Sequence, residues 1–437
     1  MLVSFSVANI LSFKSNQTLR MEAVSHGKDD INPQNTSAVA EGAQERLLKS
    51  ALLFGANASG KSNFIHAFAL FRDILLRSQA VLDESASPVR QVTPFLLATR
   101  NLQQPSVLEV VFYEAGIRYR YGLELQTGRV VGEWLFYTPK ARETLLFNRE
   151  GQQVDFNKVG FAEAIPFVKN GLVQQTRDNV PFVSVLASHN GTHCLNLVNW
   201  ANRLAVISGT AEHGYMGFTI KLMKQDPKFK AWLLSILNNF QIDDINVVEV
   251  ETPEVNLQLT EGQTDLQELL STFNRFSKNK KSLELVVSKK ITDDEEGLSV
   301  DFPLAFESEG TRKLIHLLGP IYDSIKNKRI LIIDEVEAKF HSLLTRFLFS
   351  MYHHKNDAGG QIIAAAHDTS LMNTQDFRRD QIWFIDKNPQ GCSEIYSLVE
   401  FKEKARQLKQ QYGPDYLAGV FGAVSLFENF AQIDAVM

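Results

Sequence analysis

One stretch constrains this chain more than any other: LLFGANASGKSNFIHAF, Leu52 to Phe68. In it Gly55, Gly60, Lys61 and Ser62 fit the spacing G-x-x-x-x-G-K-[ST]. A short apolar run, LLKSALLF, leads into the turn, and SNFIHAFALFRDILLRS repeats its apolar residues at helical spacing. Strand, tight turn and helix must follow one another, which commits this part of the chain to an α/β fold. The glycines let successive backbone N–H groups face phosphate oxygens, and the helix N-terminus adds its positive dipole end. Gly55, Ala56, Asn57, Ala58, Ser59, Gly60, Lys61, Ser62 and Asn63 are the candidate nucleotide-binding residues. Lys61 would reach the β- and γ-phosphates of ATP, and the Ser62 hydroxyl would ligate Mg²⁺.

Three further stretches extend that chemistry. RILIIDEVE carries an apolar run, Ile330 to Ile333, that ends in Asp334 and Glu335. Such a run suits a parallel strand buried on both faces, and α/β sheets bind ligands at the C-terminal ends of their strands. Asp334 is the candidate Mg²⁺ partner, and Glu335 the candidate catalytic group that polarises an attacking water. IIAAAHDTSLM ends a second apolar strand at His367, the candidate for a catalytic hydrogen bond to the γ-phosphate. FESEGTRKL holds Ser308 and Gly310 just before a helix, where they either cap that helix or bind a phosphate by the same dipole logic. One sheet cannot bring both helix N-termini to the same phosphate. The phosphate-binding reading therefore predicts a nucleotide shared between two copies of the chain.

Around these stretches, LVSFSVANILSF and TLRMEAV alternate as an early β-pair, and Ser106 to Phe147 reads as an antiparallel meander. From 161 to 240 the pattern turns helical and more polar. Strand-like runs return after 241 around the charged turn TDDEEG, α/β style resumes from Gly310, and a helical tail is expected from Phe401. The expected organisation is 1–160 as the N-terminal half of a nucleotide-binding head, 161–240 as a helical insertion and candidate partner surface, and 241–437 as the C-terminal half. The expected fold class is α/β, a mixed β-sheet with a phosphate loop, interrupted by a mainly helical insertion.

Composition matters where it excludes functions. A net charge of −5 on 437 residues argues against coating nucleic acid over the whole surface. Lys278, Lys280, Lys281, Lys289 and Lys290 form a basic run that would serve a local DNA contact, against the simpler reading of a solvated face. Cys194 and Cys392 fit neither a disulfide framework nor a zinc spacing and read as reduced thiols. The first residues lack the basic start and apolar run of a signal peptide, and no 18-residue apolar stretch occurs. A cytoplasmic protein with no membrane contact is expected. His353–His354 reads as a polar helix end rather than a metal site, and Asp293 to Gly297 as a solvated hairpin tip.

Together, GANASGKSN, ESEGTRK, IIDEVE and AAHD resemble the Walker A, signature, Walker B and switch-histidine elements of ABC-type ATPases of the SMC and RecF kind, in that order. NILSFK, Asn9 to Lys14, is similar to the opening of those proteins. Over nearly the full length, MLVSFSVANILSFK, RYRYGLEL, DEVEAKFHSLL, AAHDTSLM and YLAGVFGAV look like the AAA-family ATPases of the overcoming-lysogenisation-defect-like, abortive-infection and restriction-linked group. The resemblance implies an ABC-ATPase-like head that hydrolyses ATP with Mg²⁺. It also implies a head-to-tail homodimer in which Ser308 and Gly310 of one chain close over Gly55 to Ser62 of the other. The function implied is that of a sensor or scaffold in bacterial anti-phage defence that controls a separate toxin or nuclease.

Two departures bear on that reading. ESEGTRK is not the transporter-type LSGGQ, which lowers the odds of a role in membrane transport. After Glu335, Lys339, Phe340, His341 and Ser342 stand where such ATPases carry SLHP, so the family His is matched by His341 and the Pro is missing. The segment after His367 carries Asp386, Glu394, Glu400 and Glu403 without a D-x-D pair, and a nuclease effector is expected on another polypeptide. Two other readings stay open: a DNA-clamping repair ATPase, and a nucleotide-bound interaction module that does not hydrolyse.

Overall fold

The structure is a computed structural model, and it describes residues 1–24, 32–40, 42–211, 213–251, 281–291, 298–401 and 412–424. The chain divides into two compact units, Met1–Ala211 with Asp323–Met437, and Glu212–Tyr322. Both ends of the sequence thus build one unit, and the middle builds the other.

The first unit opens with β1 (Leu2–Ala8) and β2 (Gln17–Arg20), which pair antiparallel as their alternation predicts. A small ribbon of β3 (Thr36–Ala38) and β4 (Arg46–Leu48) leads to β5 (Ser50–Phe54) and then helix α1 (Lys61–Arg77). The expected meander follows as β6 (Ser106–Glu114), β7 (Ile117–Gln126), β8 (Arg129–Thr138), β9 (Thr144–Glu150) and β10 (Gln153–Phe156). These strands join β1 and β2 in one antiparallel sheet of seven, in the order β10-β9-β8-β7-β6-β1-β2.

The segment 161–240 is mainly helical and includes α2 (Phe182–Ser188) and α3 (Thr192–Ala201) in the first unit. It also contains a strand the helical pattern concealed, β11 (Leu204–Ser208). A short apolar run such as LAVIS has no periodicity to separate it from the helix it follows. Later in the chain come β15 (Ile330–Asp334), helix α7 (Ser342–Lys355), β16 (Gln361–Ala365), β17 (Ile382–Lys387) and β18 (Ser393–Ser397). A final short helix, α8, spans Tyr412–Leu417. The second sheet runs β11-β15-β16-β5-β17-β18, parallel except for its last pair.

Period-two burial explains how α1 is held. Ala51, Leu53, Ile330, Ile332, Ile363 and Ala365 line one face of the parallel sheet and share a core cluster with α1 and the antiparallel sheet. From α1, Phe68 stacks on Phe5 at 3.8 Å, and Phe71 meets Tyr121 and Trp200 edge-on. The alternate residues Leu52, Phe54, Leu331, Ile333, Ile362 and Ala364 are buried on the other face. There Phe384 stacks on Tyr416 and Phe421. Coverage on both faces is why these strands are uninterrupted apolar runs. Charge pairs are also buried inside this unit, among them Glu133 with Arg149 and Arg378 with Asp380. Glu133, fully buried, accepts from the Tyr121 hydroxyl and from the Phe182 and Val183 amides that open α2, and pairs with buried Arg149.

The second unit contains α4 (His213–Gln225), α5 (Pro227–Leu237) and a three-stranded antiparallel sheet of β12 (Asp244–Glu251), β13 (Lys281–Lys290) and β14 (Ser299–Pro303). Asp226 caps α5, and the Thr219 hydroxyl donates to the His316 carbonyl at 2.5 Å. Helix α6 (Glu309–Asn327) carries the chain back to the first unit.

Candidate functional site

The phosphate loop forms because β5 is fully buried and stops at Phe54, after which the chain must turn out of the sheet. Gly60 is the N-cap of α1 at φ 117°. A side chain there would be strained, and its Cβ would come within 2.4 Å of the Ser393 hydroxyl oxygen and 2.8 Å of that of Ser12. Those two serines brace the loop. Ser393 donates its hydroxyl to the Ser59 carbonyl at 2.6 Å and its amide to the Ser12 carbonyl at 2.8 Å, and Asn63 donates to the Ser12 hydroxyl at 2.9 Å. Asn57, Ala58 and Ser62 are exposed, while Ser59 is buried with its hydroxyl oxygen unpartnered.

Lys61 opens α1 and is buried, its ammonium donating to the Gly55 and Ala56 carbonyls at 2.7 and 3.0 Å. Burial pushes its pKa below the usual lysine value, while Asp334, Glu337 and Glu335 act in the opposite direction. The ammonium therefore lies in the field of the acidic turn after β15. That turn is shaped by backbone contacts. Glu335 is exposed at φ 53°, and the Gly209 amide donates to the Asp334 carbonyl at 2.6 Å. Gly209 has to be small, because a Cβ there would sit 2.0 Å from the Glu335 carbonyl oxygen.

Strand order decides what lies next to what. β16 runs between β5 and β15, so the chain leaving β16 at His367 stands between the phosphate loop and the acidic turn. The His367 amide donates to the carboxylate of Glu337. Glu337, which the motif reading passed over, is thus the residue that ties the acidic turn to His367. Its trace in the sequence is the third carboxylate of DEVE, after Asp334 and Glu335. Asp334 Oδ1 and Glu337 Oε2 are buried without a hydrogen-bond partner.

Among the described residues no cluster of three or more His, Cys, Asp or Glu is arranged to hold a metal. Mg²⁺ needs no such cage, since it retains waters and takes phosphate oxygens beside one or two protein ligands. The orphaned carboxylate oxygen of Asp334 and the exposed hydroxyl of Ser62 fit that donor set.

Ser308 and Gly310 lie in the second unit at the start of α6. The Ser308 hydroxyl accepts from the Thr311 amide at 3.1 Å, the capping role the sequence allowed. Of the basic run, Lys289 pairs with Glu307 at 2.7 Å and Lys290 approaches Asp243 at 3.9 Å. Lys278, Lys280 and the turn Asp293 to Gly297 lie outside the described residues, as does much of the expected tail after Phe401. Cys194 and Cys392 are free thiols, both buried. The expectation of a polar helix end at His353–His354 needs correction. His354 is exposed, but His353 is buried beneath β5, with Nε2 2.8 Å from the Ser50 hydroxyl. Among the described residues no helix is long and apolar enough to cross a membrane.

A glycine-rich loop joining a central parallel strand to a helix, with carboxylates ending a strand two positions away, defines the AAA/ABC class of ATPase fold. Residues 50–373 match the family described as "AAA domain, putative AbiEii toxin, Type IV TA system", and the chain belongs to that family. No curated protein matches it. Among solved structures, the SMC head domain from Thermotoga maritima is 12% identical, with 91% of this chain and 98% of that one covered at a TM-score of 0.37. An SMC head bound to the C-terminal winged-helix domain of ScpA is 12% identical, covering 91% and 97% at 0.44. The recombination mediator RecF with ATP, of the RecFOR pathway, is 13% identical, covering 90% and 97% at 0.35.

Proposed function

We propose that this chain binds and hydrolyses ATP, and that the nucleotide cycle controls a separate toxin or nuclease in bacterial anti-phage defence. The observation that carries the ATPase reading is the buried Lys61 ammonium in the field of Asp334, Glu335 and Glu337. In this reading Lys61 and the loop amides would hold the β- and γ-phosphates, and Ser62 and Asp334 would hold Mg²⁺, which would supply neutralisation of charge on the phosphates. Glu335 orients and deprotonates the attacking water, and His367 hydrogen-bonds the γ-phosphate. Glu337 passes a change at His367 to the acidic turn through their shared hydrogen bond.

A homodimer with ATP shared between copies follows if Ser308 and Gly310 face the partner's phosphate loop; cytoplasmic location goes with this proposal. The family's description as a toxin–antitoxin component supports a separate partner polypeptide. Helical segment 161–240 is the proposed surface for it. The DNA-clamping alternative loses support from the ion pairs already made by Lys289 and Lys290.

The test is Glu335→Gln. Turnover should fall at least about a hundredfold, while ATP binding persists and ATP-dependent dimer accumulates in light scattering. Wild-type protein that binds ATP but does not hydrolyse it, with partner and DNA present, would instead establish a non-hydrolysing module. Co-purification with the product of the adjacent gene, with and without ATP, tests effector control; recovery of neither complex removes that part.

A further inference from the structure

A cavity of about 660 Å³ lies at the end of the parallel sheet opposite the phosphate loop. Its lining follows the entry points of adjacent strands: Lys49 precedes β5, Arg203 precedes β11, Lys328 lies just before β15 and Gly359 just before β16. One strand of five residues, roughly 16 Å, separates it from Gly55. It is therefore a different place from the nucleotide site.

Four cationic side chains contribute to its wall, Arg46, Lys49, Arg203 and Lys328, against the carboxylates of Glu114 and Asp357. Arg203 is ion-paired with Glu114. Three cations then face one remaining carboxylate. Lys49 is 5% exposed, and its ammonium donates to the His353 carbonyl at 2.7 Å. An ammonium has three donors, so two remain for a ligand. Burial pushes the Lys49 pKa down, with Asp357 opposing and Arg46 adding to the effect. Arg46 uses Nε and Nη2 on Thr36, at 2.7 and 3.0 Å, and retains Nη1.

Lysines and arginines at strand ends commonly do no more than meet solvent, and Lys328 is exposed as that account requires. Lys49 is not. A buried ammonium bonded to one neutral carbonyl is a costly arrangement unless an anion completes it. We infer that this cavity binds a small phosphate-bearing anion, independently of the phosphate loop. Its volume suits a ligand of nucleotide size, and clustered cations select phosphate by charge.

The test is titration calorimetry with inorganic tripolyphosphate on the full chain carrying Lys61→Ala, which removes the lysine of the phosphate loop. Binding should persist in that background and weaken with added salt. Adding Lys328→Glu should weaken it by about tenfold or more, a change at an exposed position that leaves folding intact. Lys49→Gln should act in the same direction. Loss of all tripolyphosphate binding with Lys61→Ala alone overturns the inference, as does binding that neither Lys328→Glu nor Lys49→Gln alters. Failure of wild-type protein to bind ATP would sink the ATPase proposal and leave this one standing.

Discussion

His353 gives a prediction that can be worked through from the structure. It sits near the end of α7 yet is 1% exposed, against the Ser50 hydroxyl where β5 begins. Burial lowers its pKa from 6.5 to about 3, with Lys49 and His354 adding to the effect. The imidazole is therefore neutral in the folded protein at pH values where the unfolded chain would protonate it. Its contribution to stability is complete above pH 6.5 and is lost as the pH falls from there toward 3. Each pH unit inside that window costs about 1.4 kcal/mol, so by pH 5 the loss is about 2 kcal/mol. His353→Gln keeps a group able to hydrogen-bond Ser50 and removes the titration. Urea midpoints of both proteins, measured from pH 8 to pH 5, isolate the effect as a difference. The stability gap between wild type and variant should move by about 2 kcal/mol against wild type over that range. A gap that stays constant would refute the reasoning, because His353 would then titrate alike in both states.

Three further outcomes follow from named contacts. Ser393→Ala removes the donor to the Ser59 carbonyl and should weaken binding of a fluorescent ATP analogue by about tenfold, a cost of about 1–2 kcal/mol; a lower melting temperature with unchanged affinity would show that the serine does not position the loop. Gly209→Ala should reduce ATP turnover more than ATP affinity, since its Cβ would displace the Glu335 carbonyl from 2.0 Å; equal loss of both would count against a local effect on the acidic turn. Glu133→Ala leaves buried Arg149 without its carboxylate and the α2 amides uncapped, and should cost about 3–5 kcal/mol. Denaturant unfolding reads it directly, and a loss below about 1 kcal/mol would mean that water replaces the carboxylate.

The phosphate loop, the two-sided burial of β15, the β1–β2 pair and the meander were legible in the residues themselves. Each is a local pattern whose period or spacing admits few conformations. β11 was not, because four apolar residues and a serine after a helix have no period of their own. Ser12 and Ser393 carry no motif, and they reach the loop only because sequence-distant strands end beside it. Glu337 stood in plain view as the last carboxylate of DEVE, but its bond to the His367 amide exists only once β16 has inserted between β5 and β15. Local sequence could specify a loop that turns, presents amides and starts a helix, since that depends on glycine, lysine and their spacing. What braces the loop, which carboxylates surround its lysine, and why His353 and Lys49 are buried depend on the order of strands in the sheet. That order is set by packing both faces of the parallel sheet at once, and no single stretch of the chain encodes it.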